Sequence, residues 1–349
     1  MDTMLAGRLH LMEKEFRVEE VPVPVPGPGE VLVQVKAAGV CLSDLHLIDG
    51  SISPQYATAD TVTLGHEVAG VVHSLGPHVA GDWTPGKRVL LLAGQRCGLC
   101  ESCVTHRPPC VQPRTRGVDY DGGWAQFTVA REETLVAIPD SLPFDQASII
   151  PDAVSTSYAA LVATADVRPA QAVGIWGVGG LGAHAVRIAR VVGAAPVIAI
   201  DPLPRARERA LSFGADLALD PADPRFADSI AQATSGRGLD AAFDFAGAPV
   251  VREQAIAGLA RGGSLVLVGL TPHPLSVADG TAFSLLGHRI CGHYGSTPEH
   301  IVQLVRLAST GRLDLGPSVS ALIPLSEAAS AVERLANKIG DPIRLVLTP

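Results

Sequence analysis

The sequence predicts an α/β protein: a β-rich first part, then a doubly wound parallel sheet. Three observations carry this. Up to about residue 150 the chain holds short Val-rich runs separated by Gly and Pro. From residue 153 apolar strand-like runs alternate with helical ones. The length of 349 residues corresponds to about two domains at ~150 residues each.

In the first part EVLVQVKAAGV, EVAGVVHSLG, KRVLLLA and WAQFTVA read as strands, and PVPVPGPGE as an extended connection. Together they suggest an irregular barrel with long loops. In the second part AVSTSYAALVAT reads as a helix, QAVGIWG as a strand, LGAHAVRIARVVG as a helix and PVIAID as a strand. RARERALSFGA and VREQAIAGLARG continue as helices, DAAFDFAG and SLVLVGL as strands. From about residue 295 the chain offers helices EHIVQLVRLASTG and SEAASAVERLAN and a last strand, IRLVLTP.

Hydrophobic residues make up 47% of the chain and aromatic ones only 4%, so Val, Leu, Ala and Ile must fill the core. The formal net charge of -8, without a basic stripe, argues against a nucleic-acid partner. No apolar run approaches the ~18 residues of a membrane span, so no membrane partner is expected. The segment MDTMLAGRLHLMEKEF lacks the apolar core of a signal peptide, and a cytoplasmic location is expected.

Four of the six cysteines, Cys97, Cys100, Cys103 and Cys110, lie in CGLCESCVTHRPPC. A loop so spaced can wrap one ion in four thiolates, the closed geometry of structural zinc. The clustering favours metal over disulfides. Cys291 is left over and reads as a small buried hydrophobe.

A second pattern is GVGGLG. Gly177, Gly179 and Gly182 form G-x-G-x-x-G after an apolar strand and before a helix, with Val178, Gly180 and Leu181 completing the turn. Glycines there permit a tight turn, close backbone approach to a pyrophosphate and close helix–strand packing. Asp201 ends the next strand, 19 residues after Gly182. A carboxylate there accepts from ribose hydroxyls and repels a 2′-phosphate, which favours NAD over NADP. Taken alone, these residues are a glycine turn and an N-cap aspartate. Arg205 and Arg207, just beyond, read as a solvated helix face.

A third pattern is Cys41 in GVCLSDLH and His66 in GHEVAG, 25 residues apart, each in a Gly-flanked turn after a Val-rich run. A catalytic zinc takes three protein ligands and keeps one position open. Another segment must supply the third ligand, and Asp152 in IIPDAVSTSY is the candidate. Thiolate, imidazole and carboxylate together balance a 2+ charge.

With these motifs in family order, the chain from Val31 onward resembles the zinc-containing medium-chain alcohol dehydrogenases, and most of all bacterial members with a Cys/His/Asp catalytic zinc site. The resemblance implies a GroES-like catalytic domain (1–152, completed by 295–349) and a Rossmann domain for NAD (153–294). It implies two zinc ions per chain. One would sit on Cys41, His66 and Asp152, with Glu67 able to approach the metal and Asp44 orienting the histidine; the other would sit in the four-cysteine lobe. Ser43 and His46 match the family's proton relay, in which a histidine near neutral pKa passes the proton to solvent. Alone, they would be a turn hydroxyl and a surface histidine.

The implied activity is reversible oxidation of a primary or secondary alcohol to an aldehyde or ketone. A polyol or threonine dehydrogenase of the same superfamily is the alternative, and a non-catalytic nucleotide-binding protein a remote one. A homo-dimer or homo-tetramer is implied as well. Two departures stand out. The lobe has six residues before its last cysteine where the family usually has seven, which implies a tighter final turn through THRPP. Leu42 stands where some relatives carry a basic residue. Tyr56, Trp124, His293 and Tyr294 fall where relatives approach the substrate, with packing as the equal alternative.

Overall fold

The computed structural model describes residues 2–57, 59–105 and 110–349. The chain divides into two compact units, Met1–Asp152 with Ile301–Pro349, and Ala153–His300.

The spine of the first unit is its longest strand, Glu30–Val40. Val68–Leu75 pairs antiparallel along one edge. The other edge is shared by Phe127–Arg131 at one end and the C-terminal strand Arg344–Thr348 at the other. Thr3–His10 pairs antiparallel with both Glu15–Pro22 and Thr61–Thr63 in a separate sheet. Val31, Val33, Val35, Leu64, Val68, Leu91 and Leu345 are fully or almost fully buried between these sheets, as a Val- and Leu-rich composition requires. Trp124 is wholly buried among them; its indole N–H donates to the Gly39 carbonyl at 3.0 Å. It is a core residue, so the packing reading of Trp124 holds.

The second unit is a six-stranded parallel sheet. Numbered along this unit, Val173–Trp176, Val197–Ile200, Leu217–Leu219, Leu239–Asp244, Leu259–Leu267 and Arg289–Gly292 stand in the order 3-2-1-4-5-6. That is the order of two mononucleotide-binding halves, with the ligand crevice at the carboxyl ends of strands 1 and 4. Helices Gly182–Val192, Pro204–Ser212, Phe226–Ala233 and Pro249–Ala257 form the crossovers. Val173, Ile175, Val197, Ile198, Ala199 and Phe243 are fully buried, the near-continuous apolar pattern of strands covered on both faces.

Two details differ from the sequence reading. The strand placed at SLVLVGL begins earlier, at Leu259, and takes the last residues assigned to the preceding helix. The helix at AVSTSYAALVAT is irregular: Ile150–Val154 and Ala160–Thr164 are π-turned, with α-helical Ser155–Ala159 between them. Among the described residues no helix is long and apolar enough to cross a membrane.

Candidate active site

Cys41 follows directly on the spine strand and opens helix Leu42–Ile48. Asp44 reaches back from the first turn: its Oδ2 accepts the Cys41 N–H at 2.8 Å, the returning half of a capping box. Its Oδ1 lies 3.6 Å from His66 Nδ1, at ion-pair rather than hydrogen-bond distance. Asp44 is fully buried, so this short helix fixes both the cysteine and the face of the histidine.

Asp152, in the first π-turn, closes the set. Its Oδ2 lies 3.3 Å from Cys41 Sγ and 3.4 Å from His66 Nε2. One ligand atom from each of the three residues falls within 4.8 Å of the others. Metal–ligand bonds of about 2.0–2.3 Å in a tetrahedron hold neighbouring ligand atoms about 3.3–3.8 Å apart, so the spacing suits zinc. Charge suits it too. Two carboxylates, Asp44 and Asp152, and the Cys41 thiol surround His66. Burial opposes protonation of His66, but Asp44, Asp152 and Cys41 outweigh it and hold its pKa well above the usual imidazole range. A basic imidazole beside carboxylates is a strong cation ligand.

Arg344 is the residue sequence reasoning missed. The register pairs Val40 with Leu345, which sets Arg344 beside Cys41. Its Nη2 stands 3.0 Å from Glu67 Oε1, 3.5 Å from Cys41 Sγ and 3.6 Å from Asp152 Oδ2. Arg344 is 2% exposed and Glu67 0%, so the pair is fully desolvated. Glu67 is thereby held by Arg344 and is not one of the three convergent ligands. Gly39 makes room for it: a Cβ there would lie 1.9 Å from Glu67 Oε2. The signal for Arg344 was a lone charge inside the apolar strand IRLVLTP.

Ser43 is half-buried, and its hydroxyl donates to Cys41 Sγ at 3.2 Å and lies 3.5 Å from His66 Nε2. His46 is half-buried one turn further along the same helix. Leu42 is exposed, Tyr56 is half-buried with its N–H on Asp119, and Tyr294 is 80% exposed. Cys291 is half-buried rather than buried.

In the lobe, the sulfurs of Cys100 and Cys103 are 3.5 Å apart, Cys97 and Cys103 3.8 Å, and Cys100 and Cys110 3.9 Å. These match the edge of about 3.8 Å that Zn–S bonds of about 2.3 Å require. Backbone N–H groups point at the sulfurs, from Cys100 to Cys97 Sγ and from Cys97 to Cys110 Sγ, each at 3.4 Å. Bonds from the Val111 and Cys103 backbone lower the Cys100 thiol to about 6, while burial pushes Cys103 up to about 12. His106 and most of the THRPP turn lie outside the described residues.

In the second unit Gly177 follows strand Val173–Trp176 and Gly182 opens helix Gly182–Val192. A Cβ on Gly182 would strike the Gly177 carbonyl oxygen at 1.8 Å, so the turn tolerates no side chain there. A Cβ on Gly179 would meet nothing within 4 Å, which leaves the helix N-terminus open to a phosphate. Asp201 Oδ2 accepts the Val178 N–H at 2.8 Å and Oδ1 the Leu203 N–H at 2.9 Å. Each oxygen keeps a further lone pair as an acceptor. Arg207 is committed to Asp220 at 3.1 Å, and Arg205 is exposed.

Known proteins resemble this chain over nearly its whole length. Residues 27–140 match the alcohol dehydrogenase GroES-like domain and residues 180–310 the zinc-binding dehydrogenase domain. An NDMA-dependent alcohol dehydrogenase of Amycolatopsis methanolica is 33% identical over 370 residues, covering 98% of each chain. A sorbitol dehydrogenase of Bacillus subtilis is 30% identical over 342 residues, covering 96% of this chain and 95% of its own. The solved alcohol dehydrogenase of Aeropyrum pernix superposes with a TM-score of 0.86 at 30% identity, over 99% of this chain and 100% of its own. Chain-long identity and the two matched domains place this oxidoreductase in the family of zinc-containing medium-chain alcohol dehydrogenases.

Proposed function

We propose that the protein is an NAD-dependent zinc alcohol dehydrogenase, oxidising a primary or secondary alcohol reversibly to an aldehyde or ketone. The observation that carries this is the convergence of Cys41, His66 and Asp152 with the Ser43 hydroxyl beside them. In this reading the first unit is catalytic, the second binds NAD, and the chain works as a homo-oligomer.

Cys41, His66 and Asp152 would hold one zinc and the four lobe cysteines a second. When bound, the first zinc supplies a Lewis acid that lowers the pKa of an alcohol hydroxyl, and NAD supplies the hydride acceptor. Asp44 keeps Cys41 and His66 facing the same point. Arg344 neutralises Glu67 and steadies Cys41 and Asp152, so one ligand position stays open for substrate. Ser43 Oγ would accept the alcohol proton as it gives up its own, and His46, one turn away on the same helix face, would pass that released proton to solvent. The Gly177–Gly182 turn receives the pyrophosphate and Asp201 the adenosine ribose.

A polyol substrate is the second reading, favoured by the sorbitol dehydrogenase relative. An NADH-coupled screen of primary, secondary, aromatic and polyol substrates separates the two. Asp152→Ala is expected to abolish turnover with NAD binding nearly intact. Ser43→Ala is expected to lose about 10²-fold in kcat, and His46→Ala less, because water can replace an exit shuttle. If Ser43→Ala keeps full activity across about pH 6 to 9, the proton leaves by another path and the relay assignment is wrong.

A further inference from the structure

The helical run that presents Asp152 is held by a side chain the chemistry above does not use. A π-turn carries one residue more than an α-turn, is rare, and gathers at functional sites. This run contains two, with Asp152 in the first. Each extra residue rotates the turn before it relative to the turn after it by about 100° around the helix axis, since an α-helix has 3.6 residues per turn. If the second π-turn relaxed, Ser155–Ala159 would turn, and Asp152 with it.

His293 bridges this second turn. It follows the edge strand Arg289–Gly292. Its Nε2 lies 3.0 Å from the Thr156 carbonyl oxygen and its Nδ1 2.8 Å from the Thr164 hydroxyl. A carbonyl only accepts, so Nε2 carries the proton and Nδ1 accepts from Thr164. One neutral tautomer satisfies both partners. Burial, the largest influence on His293, holds its pKa below the usual imidazole range and keeps the ring neutral. Two further contacts run beside it. Ser296 Oγ donates to Ser155 Oγ at 2.9 Å, and the His300 ring stands edge-on to Tyr158 at 5.8 Å.

We propose that His293 is a positioning residue: by bridging Thr156 and Thr164 it locks the π-turned run in register and so fixes the direction in which Asp152 is offered to the metal. The proposal rests on Asp152 being a zinc ligand.

The test is the rate at which zinc leaves the full-length zinc-loaded protein to a chromogenic chelator, with no turnover involved. The four-cysteine lobe serves as internal reference. Supporting partners of metal ligands are typically worth 10–100-fold in affinity, so His293→Ala should release the Asp152-site zinc at least about tenfold faster with the lobe unchanged. His293→Gln, whose amide can still donate to Thr156, should recover most of that loss. Thr164→Val, which removes the other partner at similar volume, should fall between. A folded His293→Ala with the wild-type release rate overturns the proposal. Should that variant fail to fold, a Thr164→Val protein with the wild-type rate overturns it equally. If the unmutated protein holds zinc only in the lobe, Asp152 is not a zinc ligand, and the proposal falls with that reading before any variant is made.

Discussion

Asp201 serves two purposes at once. Its carboxylate ties the Val178 N–H of the glycine turn to the Leu203 N–H of the next loop, which fixes its direction before any cofactor arrives. In the proposed cofactor site its charge would oppose a 2′-phosphate. NAD is expected to be preferred over NADP by at least about tenfold, about 1.4 kcal/mol. Asp201→Asn keeps an acceptor and removes the charge, so it should close most of that gap with NAD still bound. Steady-state kcat/KM for both cofactors in both proteins decides the matter. Equal use by the unmutated protein would bring the exposed Arg205 forward as a phosphate binder, since Arg207 is committed to Asp220. Asp201, Cys41 and His66 were legible in the sequence because each sits in or near a turn motif of fixed spacing, whereas Asp152 was reached only as the candidate that another segment had to supply. Arg344 was not legible, and His293 was read only as a residue near the substrate or in packing. Arg344 lies 303 positions from Cys41 and reaches it only through strand register, and His293 reaches Thr156 across 137 positions.

At the scale of elements, the four-cysteine lobe has the features that a structural metal would explain. Its apolar side chains face solvent: Leu99 is 87% exposed, Val104 66% and Val111 64%. Among its described residues the lobe shows no apolar core of its own, so on the proposed reading thiolate–metal bonds would hold it, and their free energy would be largely folding free energy. Cys100→Ser is expected to cost at least about 2 kcal/mol, a fall in Tm of roughly 4–8 °C. A variant that melts with the parent and keeps full activity would show that the lobe is not a structural zinc site. Elements with dense apolar patterns, such as Glu30–Val40 and Gly182–Val192, were readable from periodicity alone. Leu217–Leu219 and Arg289–Gly292, three and four residues long, were not, because so short a run carries no period. The π-turns were hidden for a different reason. Pro151 marks a break in the first, Ile150–Val154, but ALVAT in the second carries nothing that sets it apart from ordinary helix.

At the scale of the whole molecule, the second unit ends in an unfinished sheet. Arg289–Gly292 pairs on one side with Ser264–Leu267, and no described strand of this chain pairs with its other edge. Unpaired edges are normally blunted by charge, proline or a covering segment. Here Arg289 is the one charge on the edge strand, and the flanking chain exposes apolar side chains: Leu270 at 61%, Leu275 at 42%, Leu285 at 71% and Tyr294 at 80%. An open edge beside exposed apolar residues suits a two-fold contact in which the same strand meets its own copy. The protein is therefore expected to sediment as a dimer or tetramer of the 36.2 kDa chain at micromolar concentration. Leu285→Glu distinguishes this contact from others. The side chain is exposed within one chain, so the fold should tolerate a charge, whereas an apolar two-fold interface should not. The variant should shift toward the mass of a single chain while its circular dichroism stays unchanged. A parent that already sediments near 36.2 kDa would overturn the oligomer itself. A variant that keeps the parent's assembly would place the interface away from this edge.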